Sequence, residues 1–119
     1  EQGLKIAVVT SKKRPMVLRG ISCLQLEQYI DVVIALGDTQ QSKPHAEPMM
    51  TACAKLGVAP QECLCVGDSP FDLQSGRNAG ARTVAVRYTA FAWEKIMEEG
   101  RPDYVIEQPQ ELLALVKRA

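Results

Sequence analysis

Two aspartates that follow a short apolar run are the first residues of this sequence whose types and spacing could do chemistry. Residues 63–66 indicate a buried strand, so Asp68 lies just beyond its carboxyl end. Ser69 and Pro70 are typical of the start of a helix, which places Asp72 in the first turn. Two converging carboxylates repel each other unless a cation lies between them, and Mg²⁺ suits oxygen ligands. The alternative is that both aspartates only cap the helix and favour its dipole.

Two other predicted strand ends also carry polar residues. Thr10 and Ser11 follow the apolar run 5–9, and a hydroxyl beside free backbone N–H groups favours an anion. Lys43 precedes Pro44, which restricts the lysine backbone to extended conformations. Taken singly, an N-cap at 10–11 and a solvated lysine are the simpler explanations. Together with the aspartates, these groups are the equipment for holding a phosphoryl group bridged to Mg²⁺.

The elements that must position these residues alternate between strands and helices. Apolar runs predict strands at 5–9, 32–36, 63–66, 83–87 and 103–106. Helical spacing predicts five helices. The first opens at Pro15, the second ends at Gly57 and the third runs to about residue 79. The last two cover 91–99 and 111–117. In the first of these, Leu18, Ile21 and Gln25 space as one face. The fold class is therefore predicted as α/β, a three-layer Rossmann-like parallel sheet with helices on both faces.

Composition excludes several classes of function. The 119 residues suffice for one domain, and 14 basic residues balance 14 acidic ones, so we expect neither nucleic acid nor a membrane as partner. No signal peptide precedes the first strand, so the expected compartment is the cytoplasm. The four cysteines match no zinc knuckle or Cys-x-x-Cys, and His45 is the only histidine, so no zinc site is expected.

Three short motifs, taken in order, resemble those of the haloacid dehalogenase-like (HAD-like) hydrolases. Val-Val-Thr-Ser-Lys at 8–12, Ser-Lys-Pro at 42–44 and Val-Gly-Asp-Ser-Pro-Phe-Asp at 66–72 look like the second, third and fourth motifs of that family. The segments 56–58 and 77–81 match its phosphoglycolate phosphatase and pyrophosphatase branch as well. The resemblance covers essentially the whole chain, and the ordered set is far more specific than any one motif.

The resemblance implies a role for each candidate residue. Thr10 would bind the transferring phosphoryl group with help from the Ser11 amide, and Lys43 would neutralise charge on that group. Asp68 would bind Mg²⁺, and Asp72 would support the metal directly or through water. The implied activity is a Mg²⁺-dependent phosphatase of the phosphoglycolate phosphatase type, which acts on a small phosphorylated metabolite through an aspartyl-phosphate. An inorganic pyrophosphatase of the same family is an alternative.

The family's first motif, Asp-x-Asp-Gly-Thr, has no counterpart here, because the chain contains no Asp-x-Asp. Asp31 and Asp38 fall in or before a different strand and loop, so neither replaces it. We therefore expect residues 1–119 to be the C-terminal part of a HAD-like core, without the central first strand and the cap domain, and inactive alone. The strands on either side of the lost one would pair directly or be completed by another chain, through self-association of exposed edges.

Two non-enzymatic functions are alternative interpretations of the sequence. A non-catalytic binding or interaction domain would keep the fold and lose the chemistry. A receiver-like or nucleotide-binding domain is disfavoured, since neither Gly-x-Gly-x-x-Gly nor a Walker loop occurs. Phe91 and Trp93 are predicted to be packing residues rather than substrate contacts.

Overall fold

Short parallel strands alternate with helices along the chain. The computed structural model describes residues 4–87, 92–108, 110–112 and 115. The strands are β1 (Ala7–Val9), β2 (Val32–Ile34), β3 (Leu64–Gly67), β4 (Arg82–Val86) and β5 (Tyr104–Ile106). The helices are α1 (Arg14–Cys23), α2 (Glu47–Leu56), α3 (Pro70–Ala79) and α4 (Trp93–Lys95), the last continued by a π-helical turn (Ile96–Gly100). The predicted α/β class is confirmed.

The strands form two parallel sheets rather than one. β1 pairs with β2, and β3, β4 and β5 pair in that order. Within the described residues β1 and β3 are not neighbours, so the expectation of direct pairing between them is wrong. The helices explain the spacing, because α2 contacts β1 and β2, α3 contacts β3 and β4, and the two helices pack on each other. The helix layer thus holds the sheets in place without a shared ladder of hydrogen bonds.

Most of the buried core lies against the second sheet. Leu73, Ala85 and Ile96 are fully buried in one cluster, and Trp93 packs against it, which confirms its predicted packing role. A second cluster consists of the buried residues Val84, Val86 and Ile106. Four partly buried side chains pack against it, namely those of Leu64, Tyr104, Leu112 and Leu115. The predicted closing helix is confirmed at Glu111, Leu112 and Leu115. Phe91, Val116 and Lys117, for which packing or helix was also predicted, lie outside the described residues.

The first sheet is less well covered. Val17 is the buried residue of α1, whereas Leu18 is 47% exposed. The predicted inward face was therefore wrong at Leu18, where the neighbouring Val17 is buried instead, whereas Ile21 is half-buried. Gln25 lies beyond the helix end with a left-handed backbone (φ 58°), so it is not part of that face.

Helix ends follow the sequence signals closely. Gly57 and Gly80 end α2 and α3 in left-handed conformations with φ of 76° and 96°, which glycine adopts without steric cost. Ser69 is the N-cap of α3, and its hydroxyl accepts a hydrogen bond from the Asp72 N–H at 3.2 Å. In the part of the chain described by the structure, no helix has the length and apolar character needed to cross a membrane.

Candidate active site

The side chain of Lys43 links the first sheet to helix α3. Its Nζ donates to the carbonyl of Val9, the last residue of β1, at 3.1 Å, and to Asp72 Oδ1 on α3 at 2.5 Å. The side chains of Lys43 and Asp72 are only 13% and 18% exposed. The description of Lys43 as a solvated surface lysine therefore does not hold. A charge-assisted bond of this kind is stronger than one between neutral groups, and it ties β1 to α3.

Thr10 and Ser11 lie beside Lys43. The three residues, together with Ser42, line a small cavity of about 20 Å³ at the ends of β1 and β2. This is room for about one water-sized group. The Thr10 N–H donates to the Ile34 carbonyl at 2.9 Å, which fixes the threonine at the edge of the first sheet.

The Thr10 hydroxyl is part of a local turn. Its Oγ1 accepts from the Lys12 N–H at 3.2 Å, as short hydroxyl side chains often do in turns. It is not the N-cap of α1, because Lys13 occupies that position and no side chain caps it. The simpler explanation that sequence alone offered for Thr10–Ser11 is thus wrong. Thr10 nevertheless lines the same cavity as Lys43.

Asp72 packs directly on the end of β3. A Cβ atom added to Gly67 would lie 2.4 Å from the Asp72 Cβ, so the strand must end in glycine for the aspartate to fit. Asp68 follows Gly67 in the chain and its side chain is exposed. The structure therefore brings Thr10, Ser11, Lys43 and Asp72 together, with Asp68 next in sequence to the strand end on which Asp72 packs.

The cation that neutralises Asp72 in this structure is the Lys43 ammonium. Among the described residues, no group of three or more His, Cys, Asp or Glu side chains is placed to hold a metal ion. Mg²⁺ nevertheless commonly takes only one or two carboxylates and fills its other positions with waters and substrate phosphates. The hard carboxylate oxygens of Asp68 and Asp72 at one strand end suit that donor chemistry. Their roles as metal ligands remain a prediction.

The loop that carries Lys43 is held by two acidic side chains, Asp38 and Glu47, for which the sequence predicted no role. Asp38 accepts from the Ala35 N–H at 2.8 Å and pairs with Arg14. The Ala35 N–H, and then the Arg14 guanidinium, lower the pKa of the Asp38 carboxyl. Glu47 accepts from the N–H groups of residues 40 and 41 at 3.1 and 2.9 Å. The signal for Asp38 was its place just after Gly37, a combination typical of turns.

Cys65 lies beneath the site, on the buried side of β3. Burial, followed by the negative charge of Asp72, raises the pKa of its thiol to about 12. A Cβ on Gly76 of α3 would lie 2.6 Å from the Cys65 Sγ, so helix and strand are in close contact there. The Asp72 carboxylate thus lies above an uncharged thiol, where β3 and α3 are in close contact.

Comparison with known proteins identifies a family to which the chain is similar. A model of the family described as haloacid dehalogenase-like hydrolase matches residues 1–86. A relative from Clostridium perfringens (strain 13 / Type A) that carries the pyrophosphatase name PpaX is 46% identical over 98% of this chain and 54% of its own length. Pyrophosphatase PpaX of Bacillus mycoides (strain KBAB4) is 40% identical over 99% of this chain and 54% of its own length. The chain spans about half the length of these curated relatives.

A solved structure shows the same similarity in three dimensions. The crystal structure described as a predicted phosphoglycolate phosphatase from Haemophilus somnus 129PT has a TM-score of 0.86 and 26% identity, over 96% of this chain and 50% of its own. The match of the family model to well over half of the residues, together with the ordered motifs around Thr10, Lys43 and Asp68, decides the family. The chain belongs to the haloacid dehalogenase-like hydrolases.

Proposed function

We propose that this chain is the phosphate- and metal-binding part of a Mg²⁺-dependent phosphohydrolase that acts on a small phosphorylated metabolite in the cytoplasm. The observation that carries the proposal is the position of the Lys43 ammonium. It reaches Val9 at the end of β1 in the first sheet and Asp72 on α3, the helix that packs on the second sheet, beside the cavity that Thr10 and Ser11 line. A cation, a hydroxyl and carboxylates at the carboxyl ends of parallel strands are what a phosphoryl group and its metal require.

Each side chain has a distinct task in this proposal. The Thr10 hydroxyl and the Ser11 amide hold phosphoryl oxygens, and Lys43 offsets their negative charge. Asp68 and Asp72 hold Mg²⁺, which, when bound, neutralises charge that develops on the transferring group. The ion pair between Lys43 and Asp72 holds the two side chains beside each other.

The names of the relatives rank the candidate substrates. Two relatives at 46% and 40% identity bear the name pyrophosphatase, whereas the structure from Haemophilus somnus, described as a predicted phosphoglycolate phosphatase, is 26% identical. Pyrophosphate is therefore the first substrate to test, ahead of the phosphoglycolate that the sequence motifs alone suggested. Both present the same phosphoryl chemistry to Lys43 and Thr10.

Turnover needs a nucleophile that these residues do not provide. No Asp-x-Asp occurs in the 119 residues, so we propose that the chain binds phosphate but does not hydrolyse esters or anhydrides by itself. A phosphatase assay with pyrophosphate and Mg²⁺ tests this directly. Turnover that Asp68→Asn abolishes would contradict it. The competing function, a non-catalytic binding domain, is favoured if the natural gene encodes no Asp-x-Asp-Gly-Thr before Glu1.

Calorimetric titration of the 119-residue chain with inorganic phosphate, in the presence and absence of Mg²⁺, tests the binding function. We expect binding that requires Mg²⁺ and that Lys43→Met weakens by about tenfold, because a charge-assisted contact is lost. Lys55→Met is the matched control, since Lys55 is an exposed lysine on α2 outside the cavity lining. Equal affinities for the Lys43 and Lys55 variants would overturn the proposal.

We also propose that the unpaired strand edges promote self-association. In the described part of the chain, β1 has only β2 as a neighbour and β3 has only β4. Ile6 and Val66, beside or within these strands, are 49% and 43% exposed. Exposed apolar edges are templates for pairing with another chain. Light scattering across a concentration series should show a rising average mass, and a strict monomer at high concentration would contradict completion by a second copy.

A further inference from the structure

One face of α3 grips the segment that carries Lys43. Asp72 accepts from the Lys43 Nζ at 2.5 Å. One turn further on, Ser75 Oγ donates to the His45 carbonyl at 2.7 Å, and after another turn Asn78 Nδ2 donates to the Pro44 carbonyl at 3.0 Å. Residues three apart lie on the same helix face, so these three contacts form one row.

The side chains of Ser75 and Asn78 both donate to carbonyls that are distant in sequence rather than to groups nearby. Ser75 is fully buried, and a buried hydroxyl inside a helix commonly bonds to a carbonyl of its own preceding turn. Here it bonds across 30 residues of sequence to His45. Asn78 is exposed, so water could satisfy its amide, yet the amide points to a carbonyl 34 residues away. Two consecutive carbonyls, those of Pro44 and His45, are thereby fixed by one helix.

We infer that Ser75 and Asn78 are positioning residues for Lys43: by fixing the two carbonyls that follow it, they set where its ammonium lies. The inference rests on the proposed function, in which Lys43 is the cation that binds the phosphoryl group. A lysine side chain has four flexible carbons, so its backbone must be fixed for the ammonium to meet both Val9 and Asp72. The segment 43–45 belongs to no helix or strand, and therefore depends on such tethers.

Competitive amine labelling of the full 119-residue chain, read residue by residue by mass spectrometry, tests this inference. The rate at Lys43 is expressed relative to the exposed Lys55 in the same molecule. We expect Asn78→Ala and Ser75→Ala each to raise the relative rate at Lys43 by about two- to tenfold, the effect of losing one hydrogen bond. Asn78→Gln keeps an amide donor and should restore part of the protection.

The matched control lies on the same helix. Gln74 Nε2 donates to the Glu99 carbonyl at 2.9 Å, a bond of the same kind that leads away from the Lys43 segment. Gln74→Ala should leave the relative rate at Lys43 unchanged. An equal rise in the Gln74→Ala and Asn78→Ala variants would mean that α3 merely loosens, and would overturn the inference. So would an unchanged Lys43 rate in Asn78→Ala, an exposed position whose variant keeps the core intact.

A second arm separates this inference from the proposed function. Inorganic phosphate with Mg²⁺ should slow labelling of Lys43 in the unaltered chain, because the ammonium is then covered. If phosphate gives no protection while Asn78→Ala still raises the rate, the proposed function fails and the positioning of Lys43 by Asn78 stands. If phosphate protects and the variants change nothing, the positioning inference fails and the function stands.

Discussion

The two sheets differ in how completely they bury their apolar residues. In the β3–β4–β5 half, Leu73, Val84 and Ala85 are fully buried. In the β1–β2 half, Met16 and Leu24 of the α1 region are 60% and 70% exposed. Because stability scales with the apolar area removed from water, the second half should hold most of the folding free energy. The first half depends on α2 and on the Lys43 contacts to stay in register with it.

The largest contrast we expect is in thiol reactivity. Cys65 of the second half is buried and its pKa is raised to about 12, whereas Cys23 at the end of α1 is exposed. Since only the thiolate reacts and burial also hinders the reagent, labelling of Cys65 near pH 8 should be at least about a hundredfold slower than labelling of Cys23. Site-resolved mass spectrometry with a thiol reagent measures both rates. Similar rates in the native protein, rather than only in denaturant, would contradict the contrast.

Truncation of a leucine in each half should give the next largest difference. Leu73→Ala removes a side chain with no exposed surface and should destabilise the protein by about 2–5 kcal/mol. Leu18→Ala removes one that is 47% exposed and should cost less than about 1 kcal/mol. Urea unfolding followed by circular dichroism gives both values. Equal losses would mean that the two halves share one core.

Two glycines offer a matched pair with opposite expected signs. A Cβ on Gly76 of α3 would lie 2.6 Å from the Cys65 Sγ and 3.2 Å from the Thr83 Cγ2, so Gly76→Ala should destabilise by about 1–3 kcal/mol. A Cβ on Gly20 of α1 would meet nothing within 4 Å, and alanine favours a helix over glycine by up to about 1 kcal/mol. Thermal melts should move down for Gly76→Ala and up for Gly20→Ala. A fall in Tm for both would show that α1 is packed more closely than we describe.

Local sequence signals predicted the strands and helices. The features that they did not predict depend on tertiary contacts. Strand and helix positions, the glycine caps and the Ser69 N-cap all depend on residues within a few positions of each other. The division into two sheets depends on how α2 packs against α3, which no short motif encodes. The same limit applies to the site. Thr10, Lys43 and Asp68 follow from motifs, whereas the tether from Asn78 to Pro44 spans 34 residues and became visible only in three dimensions.

Acid should lower the stability of the β1–β2 half through the Asp38 carboxylate. The pKa of Asp38 is lowered below its ordinary 3.8 by the Ala35 N–H and by Arg14. A lowered folded pKa means that the contribution to stability is present above the unfolded value and is lost as the pH falls through the folded one. We therefore expect a small loss of stability below about pH 4 that Arg14→Gln reduces. A carboxyl titration by NMR in which Arg14→Gln leaves the Asp38 pKa unchanged would contradict this cause.

The most direct test of the central claim is paramagnetic broadening by Mn²⁺, which takes the same oxygen ligands as Mg²⁺. With inorganic phosphate present, substoichiometric Mn²⁺ should broaden the backbone amide signals of Thr10, Ser11, Lys43, Asp68 and Asp72 together, although they lie far apart in sequence. Lys43→Met should weaken the effect at Thr10 and Ser11 more than at Asp68. Broadening confined to residues 68–72, or spread evenly over acidic surface residues, would show that the two halves do not form one phosphate and metal site.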